Sequence, residues 1–193
     1  MAFNVQEFRS QLQYDGARPN LFEVSMPFPQ IINDTGAAAN GGLTAPAQKL
    51  TFMARSSQLP GSTIGMAVTN YFGREIKVPG NRTFPEWTVT VTNDEDFMTR
   101  NAFERWLNAM NSHTGNVRDP SAVNAFNYSV DAFVRQFGKD GADGVGGVIK
   151  EYKFIGLFPI DISPIDLDWG DNDSIEQYTV TFVYQWWESD TTT

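Results

Sequence analysis

The sequence contains no cysteine, and its 193 residues include a single histidine, His113. The lack of cysteine excludes disulfides, thiolate nucleophiles and cysteine-based metal clusters, and it is compatible with assembly in a reducing cytoplasm. His113 lies between Ser112 and Thr114, but the chain has no nucleophile turn of the G-x-S-x-G type. We therefore predict that the protein is not an enzyme and has no catalytic residues.

Basic residues are also scarce: 14 Lys and Arg stand against 23 Asp and Glu, which gives a net charge of −9. No window is basic enough to neutralise the phosphates of a nucleic acid, which supply most of the affinity in non-specific binding. No apolar run is long enough to cross a bilayer, and the N-terminus does not resemble a secretory signal. We therefore predict neither nucleic-acid binding nor a membrane span.

The best candidate for a metal site is a run of acidic residues near the C-terminus. Its members are Asp166, Asp168, Asp171, Asp173 and Glu176. Their spacing does not match the calcium-binding loop, which needs D-x-[DN]-x-[DN]-G and a distal Glu. A solvated turn is the better interpretation, so we predict no metal and no cofactor.

What the chain does contain is aromatic residues and alternating strands. Residues 87–92 alternate apolar side chains with threonines, and residues 178–186 alternate aromatic or apolar side chains with Thr, Val and Gln. A sheet with this pattern packs one face on a core and exposes the other. This pattern is more typical of a structural subunit than of an enzyme.

The remaining pattern predicts a single domain over 1–193: a mainly β fold, an antiparallel β-sandwich or partial barrel with one α-helix. The helix follows the cap Asn93-Asp94 and places Phe103, Trp106, Leu107 and Met110 on one face. Other predicted elements are a strand over 49–57, a turn at 79–81, an irregular strand over 126–137, a returning strand over 148–158 and a last strand over 178–186. Four segments are predicted to lie outside the core: an N-terminal arm at 1–12, a flexible inserted loop at 30–47, a hairpin loop at 138–147 and a C-terminal tail at 189–193.

Two groups of residues are predicted to contact other chains. Val5, Phe8 and Leu12 fall on one face of a short N-terminal helix, which is as compatible with a docking arm as with a frayed terminus. Trp186 and Trp187 are neighbours on a strand, so one of the two rings must face away from the core. An outward tryptophan is a natural anchor for an interface.

Several motifs, taken in order along the chain, resemble the tail tube protein of contractile-tailed (T4-like) bacteriophages. They are ARPNLFEV at 17–24, LPG at 59–61, GREIKVPGNRTFPEWTVTVTNDEDF at 73–97, VRQF at 134–137 and the segment 155–188. The motif residues that carry the resemblance most clearly are Arg18, Pro19, Asn20, Leu59, Pro60, Gly61, Gly80, Arg82, Trp87, Asn93 and Asp94. The match covers nearly the whole chain apart from the inserted loop at 30–47.

The resemblance implies a structural subunit that forms homo-hexameric rings, with each subunit adding four strands to a continuous barrel around a channel. The rings would stack into a tube through which DNA passes during ejection without being bound specifically. The lumen-facing candidates are Thr88, Thr90, Thr179, Thr181 and Gln185. The implied partners are the tail sheath, baseplate, tape measure and tail terminator proteins. The implied location is the virion tail, assembled in the host cytoplasm.

One alternative from a different class stays open at this stage. The outward ring of the Trp186-Trp187 pair and the many loops are also compatible with a monomeric carbohydrate- or receptor-binding β domain of a virion. That alternative predicts a stable monomer at high concentration.

Overall fold

The computed structural model describes residues 4–12, 16–35, 44–139 and 147–192. Within these residues the strands are β1 Phe22–Ser25, β2 Ala54–Ser57, β3 Thr63–Tyr71, β4 Arg74–Thr83, β5 Trp87–Thr92, β6 Val130–Phe137, β7 Val148–Ile162, β8 Gln177–Val183 and β9 Trp186–Ser189. The α-helices are α1 Val5–Gln11, α2 Thr44–Met53, α3 Met98–Met110 and α4 Ala125–Tyr128, and two 3₁₀ helices cover Gln30–Thr35 and Pro120–Val123. The fold is mainly β and antiparallel, as predicted, but it has four α-helices in the described residues instead of one.

Strand β7 links two halves of one curved sheet. The order along the sheet is β1-β6-β7-β8-β5-β2, and β9 adds to the N-terminal part of β7. The C-terminal part of β7 pairs with β8, so β7, β8, β5 and β2 form a four-stranded half. The two end strands, β1 and β2, approach each other across a pocket of about 160 Å³ lined by residues that include Phe22 and Leu59. The monomer is therefore a partial barrel, and it is not closed by hydrogen bonds.

The core lies between the two halves of the sheet and α3, and Trp87 of β5 stacks on Phe154 of β7 within it. Trp87, Val89 and Val91 are buried on β5, and the alternate residues of β8 are buried beside them. From the helix, Phe103 packs edge-on against Phe182 with ring centroids 5.8 Å apart. This arrangement follows from the period-2 and period-3.6 patterns in the sequence. Each face of the sheet therefore has a different environment.

Helix α3 starts later than we predicted from the Asn93-Asp94 cap. Its first residue is Met98, and Phe97 at the N-cap position has a left-handed backbone with φ 51°. The Asp94 carboxylate accepts a hydrogen bond from the Glu95 N–H, and the Asp96 carboxylate accepts one from the Met98 N–H. The acidic residues thus form turns ahead of the helix and do not lie in its first turn.

The prediction of a loop at 30–47 followed by a strand at 49–57 is wrong at both ends. Residues 30–35 form a 3₁₀ helix in which Ile31 and Ile32 are buried, and 44–53 form α2, which leaves only 54–57 as a strand. Leu50 is buried because one side of α2 packs against β1 and α3. The residues between 36 and 43 lie outside the described part of the chain.

The later strands also differ from the prediction in detail. Residues 125–128 are helical, so β6 begins at Val130, and the expected irregularity near 131–133 is confirmed as a register shift between Val130 and Ala132. Strand β7 continues to Ile162, beyond the predicted end at 158. The β6–β7 hairpin is confirmed by the pairing, while most of its predicted loop at 138–147 lies outside the described residues.

Candidate assembly surfaces

On the four-stranded half, the face that points away from the core of the single chain carries rows of hydroxyl groups. Thr88 lies opposite Thr181 and Thr90 lies opposite Thr179, with the Oγ1 atoms of the second pair 3.3 Å apart. Ser56 on β2 extends the row beside Thr90. We call the outward side chains of β2, β5 and β8 in this half the hydroxyl face. The structure thus brings together four of the five residues predicted to face a lumen.

The hydroxyl face has almost no charge. Along β5 and β8 its side chains are threonines, with Gln177 at one end of β8 and Val183 at the other. Two charged residues lie nearby: Asp161 on β7, opposite Thr181, and the exposed Arg55 at the β2 bulge. Uncharged β-branched side chains satisfy the strand geometry and offer a passing polyanion no ion pairs. Chemically, this face supports contact without strong binding.

Gln185, the fifth lumen-facing candidate, is not part of this ladder. Strand β8 ends at Val183, and the Gln185 N–H donates to the carbonyl of Ile155, 3.0 Å away, as the chain crosses to the other half of the sheet. At this corner Gly156 has φ 65°, and a Cβ atom there would lie only 3.0 Å from Cγ of Gln185. Gln185 therefore lies at the bend between the two halves.

The same crossing breaks the predicted single strand over 178–186 into β8 and β9. Trp187 turns inward, where its Nε1–H donates to the carbonyl of Gly61 and its ring meets Tyr152 edge-on. Trp186 is 44% exposed, and its Nε1–H donates to the Glu188 carboxylate. The two rings do face opposite sides, with Trp186 as the outward one.

The N-terminal arm is a helix without packing. Asn4 caps α1, and no residue of the helix is buried. Val5 and Phe8 are among the most exposed apolar side chains, at 73% and 66%. The three arm residues that we predicted to contact other chains, including Leu12, thus form an exposed apolar face with no cover in the described residues.

The hairpin of β3 and β4 is an exposed surface to which the sequence analysis assigned no contact, although it predicted short extended segments at 64–69 and 73–78. Both strands are exposed along their whole length, and they form a separate two-stranded sheet. The predicted turn at 79–81 is wrong, because the chain reverses at Phe72-Gly73 and Pro79 lies within β4 next to a bulge. The alternation of Ile64, Met66 and Val68 was the available signal, but Pro79-Gly80 is a stronger turn signature than Phe72-Gly73.

The hairpin turn is an unusual one. Phe72 and Gly73 have φ 47° and φ 77°, the geometry of a two-residue type I′ turn, in which Asn or Gly normally precedes the Gly. A phenylalanine in the left-handed region carries a steric cost of about 1 kcal/mol or more. Its ring is 91% exposed and meets Tyr71 edge-on at 4.6 Å. The chain therefore keeps an aromatic ring at the tip at the expense of local backbone geometry.

Further down the hairpin, the Gly80 motif residue has a packing role. Gly65 and Gly80 face each other at the bulge, and a Cβ atom on Gly80 would lie 3.1 Å from the Gly65 carbonyl oxygen. No larger residue fits there without a shift of the backbone. Arg82, the next motif residue, pairs with Ile64 across the hairpin and is exposed.

Other motif residues hold the domain together. Arg18, Pro19 and Asn20 form the turn before β1, with the Leu21 N–H bonded to the Arg18 carbonyl. The Trp87 indole N–H donates to the Gln58 carbonyl next to the Leu59-Pro60-Gly61 motif. These motifs mark fold positions more than exposed contact sites.

Asn93 and Asp94, which follow β5 directly, link the end of this strand to Glu176 and Lys49. Asn93 is buried, and its amide N–H donates to the Glu176 carboxylate at 2.8 Å. Lys49 of α2 makes ion pairs with both Asp94 and Asp96. The hydrogen bonds from Lys49 lower the pKa of each carboxyl, and those carboxylates in turn raise the pKa of Lys49. We call these three side chains the Lys49 clamp.

The acidic run does not form a metal site in the part of the chain that the structure describes. Within 4–12, 16–35, 44–139 and 147–192, no group of three or more acidic or histidine side chains is placed to hold a metal ion. None of the helices formed by those residues is long and apolar enough to cross a membrane.

The fold is shared with components of contractile injection systems. It is similar to a chain in the structure of the anti-feeding prophage cap, described as a tube-terminating cap, with a TM-score of 0.59 and 14% identity over 98% of this chain and 99% of that one. It is also similar to a chain of the sheath–tube complex of the PVC extracellular contractile injection system, with a TM-score of 0.56 and 13% identity over 98% and 99% of the two chains. These likenesses define the class of fold.

Sequence comparison identifies the family. The chain is 30% identical over 174 residues to tail tube protein gp19 of Enterobacteria phage T4, which covers 90% of this chain and 92% of that protein. It is 24% identical over 182 residues to the tail tube protein of Serratia phage KSP90, covering 93% of both. The model of the phage tail tube protein family matches residues 17–190, so the chain belongs to that family. It is accordingly a structural component of a virion tail and not an enzyme, as predicted.

Proposed function

We propose that this protein forms hexameric rings that stack into the tube of a contractile tail, and that DNA passes through the channel. The observation that carries the proposal is the hydroxyl face. It is almost uncharged, it points away from the core of the single chain, and it lies on a sheet half that contains four strands. In this arrangement Thr88, Thr90, Thr179 and Thr181 line the channel, and Gln185 lies at its margin.

Two free strand edges support the ring. Among the described residues, β2 pairs only with β5, and the end of β7 beyond residue 158 pairs only with β8. Unpaired edges are templates for further strands, and β2 of one copy can pair with β7 of the next. Joining copies in this way closes both edges and repeats the hydroxyl face around the ring.

The dimensions fit a duplex. Six copies of four strands, spaced ~4.8 Å apart and tilted about 40°, close to a backbone diameter of roughly 48 Å. With about 5 Å of side chain on each wall, the bore is ~38 Å, against a duplex on the order of 20 Å across. The net charge of −9 further discourages DNA from adhering to the wall.

The proposed partners follow from the family and from the ring. The sheath would contact the outside of the tube, the baseplate and tail terminator its two ends, and the tape measure its bore during assembly in the host cytoplasm. The exposed residues of α1, with the C-terminal tail and Trp186, are candidates for contacts between copies. Among solved relatives, one chain of this fold is described in a sheath–tube complex and another in a tube-terminating cap.

The test combines electron microscopy of the purified protein with lysines on the hydroxyl face. We expect tubes with a central channel. We also expect that Thr88→Lys with Thr179→Lys leaves tubes intact but slows or blocks DNA ejection when the gene is placed in a phage, because twelve added cations per ring attract phosphates. The matched control is Asn101→Lys with Asn108→Lys on the exposed side of α3, which should eject normally.

Two results would contradict the proposal. Discrete monomers at high concentration would favour the monomeric carbohydrate- or receptor-binding domain instead. Normal ejection by the hydroxyl-face lysine variant would show that this face does not line the channel.

A further inference from the structure

Two exposed surfaces of the chain have complementary chemistry. One is the β3–β4 hairpin, residues 63–83. The other is the segment 163–176 between β7 and β8, which we call the acidic loop. Neither surface is covered by the rest of the described chain, since the hairpin is exposed throughout and the loop carries Leu167, Trp169 and Ile175 in exposed positions.

The hairpin is built to be covered on both of its faces. Across the strands Val78 pairs with Ala67 on one face, while Met66 pairs with Pro79 on the other. Ile76 lies on the first face, and all these apolar side chains are exposed. A two-stranded hairpin is at best marginally stable alone, and monomeric proteins seldom leave large apolar patches in water. Both arguments indicate that a partner covers the hairpin in the assembled state.

The charge of the hairpin limits what that partner can be. Residues 63–83 contain three basic side chains, Arg74, Lys77 and Arg82, and one acidic side chain, Glu75, for a net charge of +2. Throughout the described residues none of the three cations has an ion-pair partner. On a chain of net charge −9, this surface is a local exception. Its partner should be acidic.

The acidic loop has the opposite character. Residues 163–176 contain five acidic side chains and no basic one, for a net charge of −5. Glu176 is bonded to Asn93, and the Asp168 carboxylate accepts from the Gly170 N–H, but no cation of the described chain pairs with Asp166, Asp171 or Asp173. Trp169 is fully exposed among these carboxylates. The loop thus presents an aromatic ring with an acidic rim.

We propose that the hairpin of one copy docks on the acidic loop of a second copy. The proposal rests on the proposed function, since it names the surfaces through which copies meet away from the paired strand edges. The apolar faces of the hairpin cover Leu167 and Trp169, and the hairpin cations pair with the loop carboxylates. Trp169 also offers a π-face to an arginine. The occupant is a second copy because each surface is left exposed in a single chain and their charges are opposite.

Charge reversal and exchange test the contact. One variant carries Arg74→Glu with Lys77→Glu, a second carries Asp166→Lys with Asp171→Lys, and a third combines all four changes. Each of the first two should raise the protein concentration needed for tube assembly by about tenfold or more, because like charges then face each other. The combined variant should restore assembly. Arg105→Glu, an exposed cation of α3 outside both surfaces, is the control and should assemble like the wild type.

The outcomes separate this inference from the proposed function. All four positions are exposed, so circular dichroism and the Tm of each monomer should match the wild type, which distinguishes lost assembly from lost folding. Normal assembly of either reversed variant, or failure of the combined variant to recover, would overturn the hairpin–loop contact while tubes of wild-type protein still support the proposed function. Absence of tubes from the wild-type protein would overturn both.

Discussion

Strands β4 and β5 follow each other in the chain, yet one is exposed throughout and the other is half buried. Strand β5 alternates buried apolar side chains with threonines, so its two faces have different environments. Strand β4 mixes charged and apolar side chains on both faces, with Arg74 beside Ile76 on one face and Lys77 beside Pro79 on the other, and all ten residues are exposed. The same extended backbone thus forms a half-buried strand in one case and a fully exposed strand in the other, and we propose a channel wall for the first and a contact between copies for the second.

The comparison shows that alternation alone does not specify a core. A strand joins the core when its apolar residues share one face and a neighbour covers them, as α3 covers β8. Both faces of the hairpin carry apolar residues, and the rest of the described chain leaves them exposed. We propose that a second copy covers them.

The largest expected effect comes from placing a lysine on the buried face of β5, compared with a lysine on its hydroxyl face. Val89→Lys should prevent folding, because Val89 is fully buried among the core residues and an unpaired buried ammonium costs several kcal/mol, a large part of a stability of about 5–15 kcal/mol. Thr88→Lys, one residue earlier and on the hydroxyl face, should change the Tm by only a few degrees. Thermal unfolding by circular dichroism measures both, and equal losses would show that the two faces of β5 do not differ as described.

A smaller but sharper effect is expected at the hairpin tip. Phe72→Asn supplies the residue that the turn favours, so the monomer should be as stable as the wild type or slightly more stable. Assembly should nevertheless require a higher protein concentration, because the exposed ring at the tip is lost from the contact between copies. Sedimentation of tubes at a series of concentrations measures the effect, and Phe72→Tyr is the matched control. If Phe72→Asn assembles like the wild type, the tip makes no contact.

The smallest effect is expected at the Lys49 clamp, which fastens the sheet end but does not touch the hairpin. Lys49→Met should lower the Tm at pH 7 without changing the assembly concentration. The clamp lowers the carboxyl pKa values of Asp94 and Asp96, so its contribution is present above their unfolded values of about 3.9 and is lost as pH falls through the lowered folded values. It raises the pKa of Lys49, so the contribution persists up to about pH 10.4 and is lost above it.

The measurement for the clamp is the difference in Tm between wild type and Lys49→Met from pH 7 to pH 2. The difference should be constant down to about pH 4 and then shrink as the carboxylates become protonated. A difference that persists at the lowest pH would mean that the lysine acts through packing and not through its charge.

The sequence was sufficient to predict the parts of the fold that local pattern determines. The alternation at 87–92 and 178–183, the apolar face of α3 and the irregularity in β6 all follow from side-chain periodicity, and the structure confirms them. The threonines of the hydroxyl face were placed on one side for the same reason, although their position in a channel remains a prediction.

The parts that depend on tertiary context could not be predicted in this way. Helix α2 has a weak periodic pattern, and it is stabilised by burial of Leu50 and by the Lys49 clamp, which link residues far apart in sequence. The crossing at Gln185 depends on a close approach to Gly156. The hairpin turn was misplaced because Phe72 occupies a position where Asn or Gly is usual. This last error falls on a surface to which we assign a function.

A density map of the assembled tube, determined by electron cryomicroscopy at a resolution that shows side chains, tests the central claim most directly. We predict that β2 of each subunit pairs with the end of β7 in its neighbour, and that the threonine pairs of β5 and β8 point into the channel. A map in which those threonines face the outside of the tube, or in which the channel wall is formed by other strands, would contradict the account.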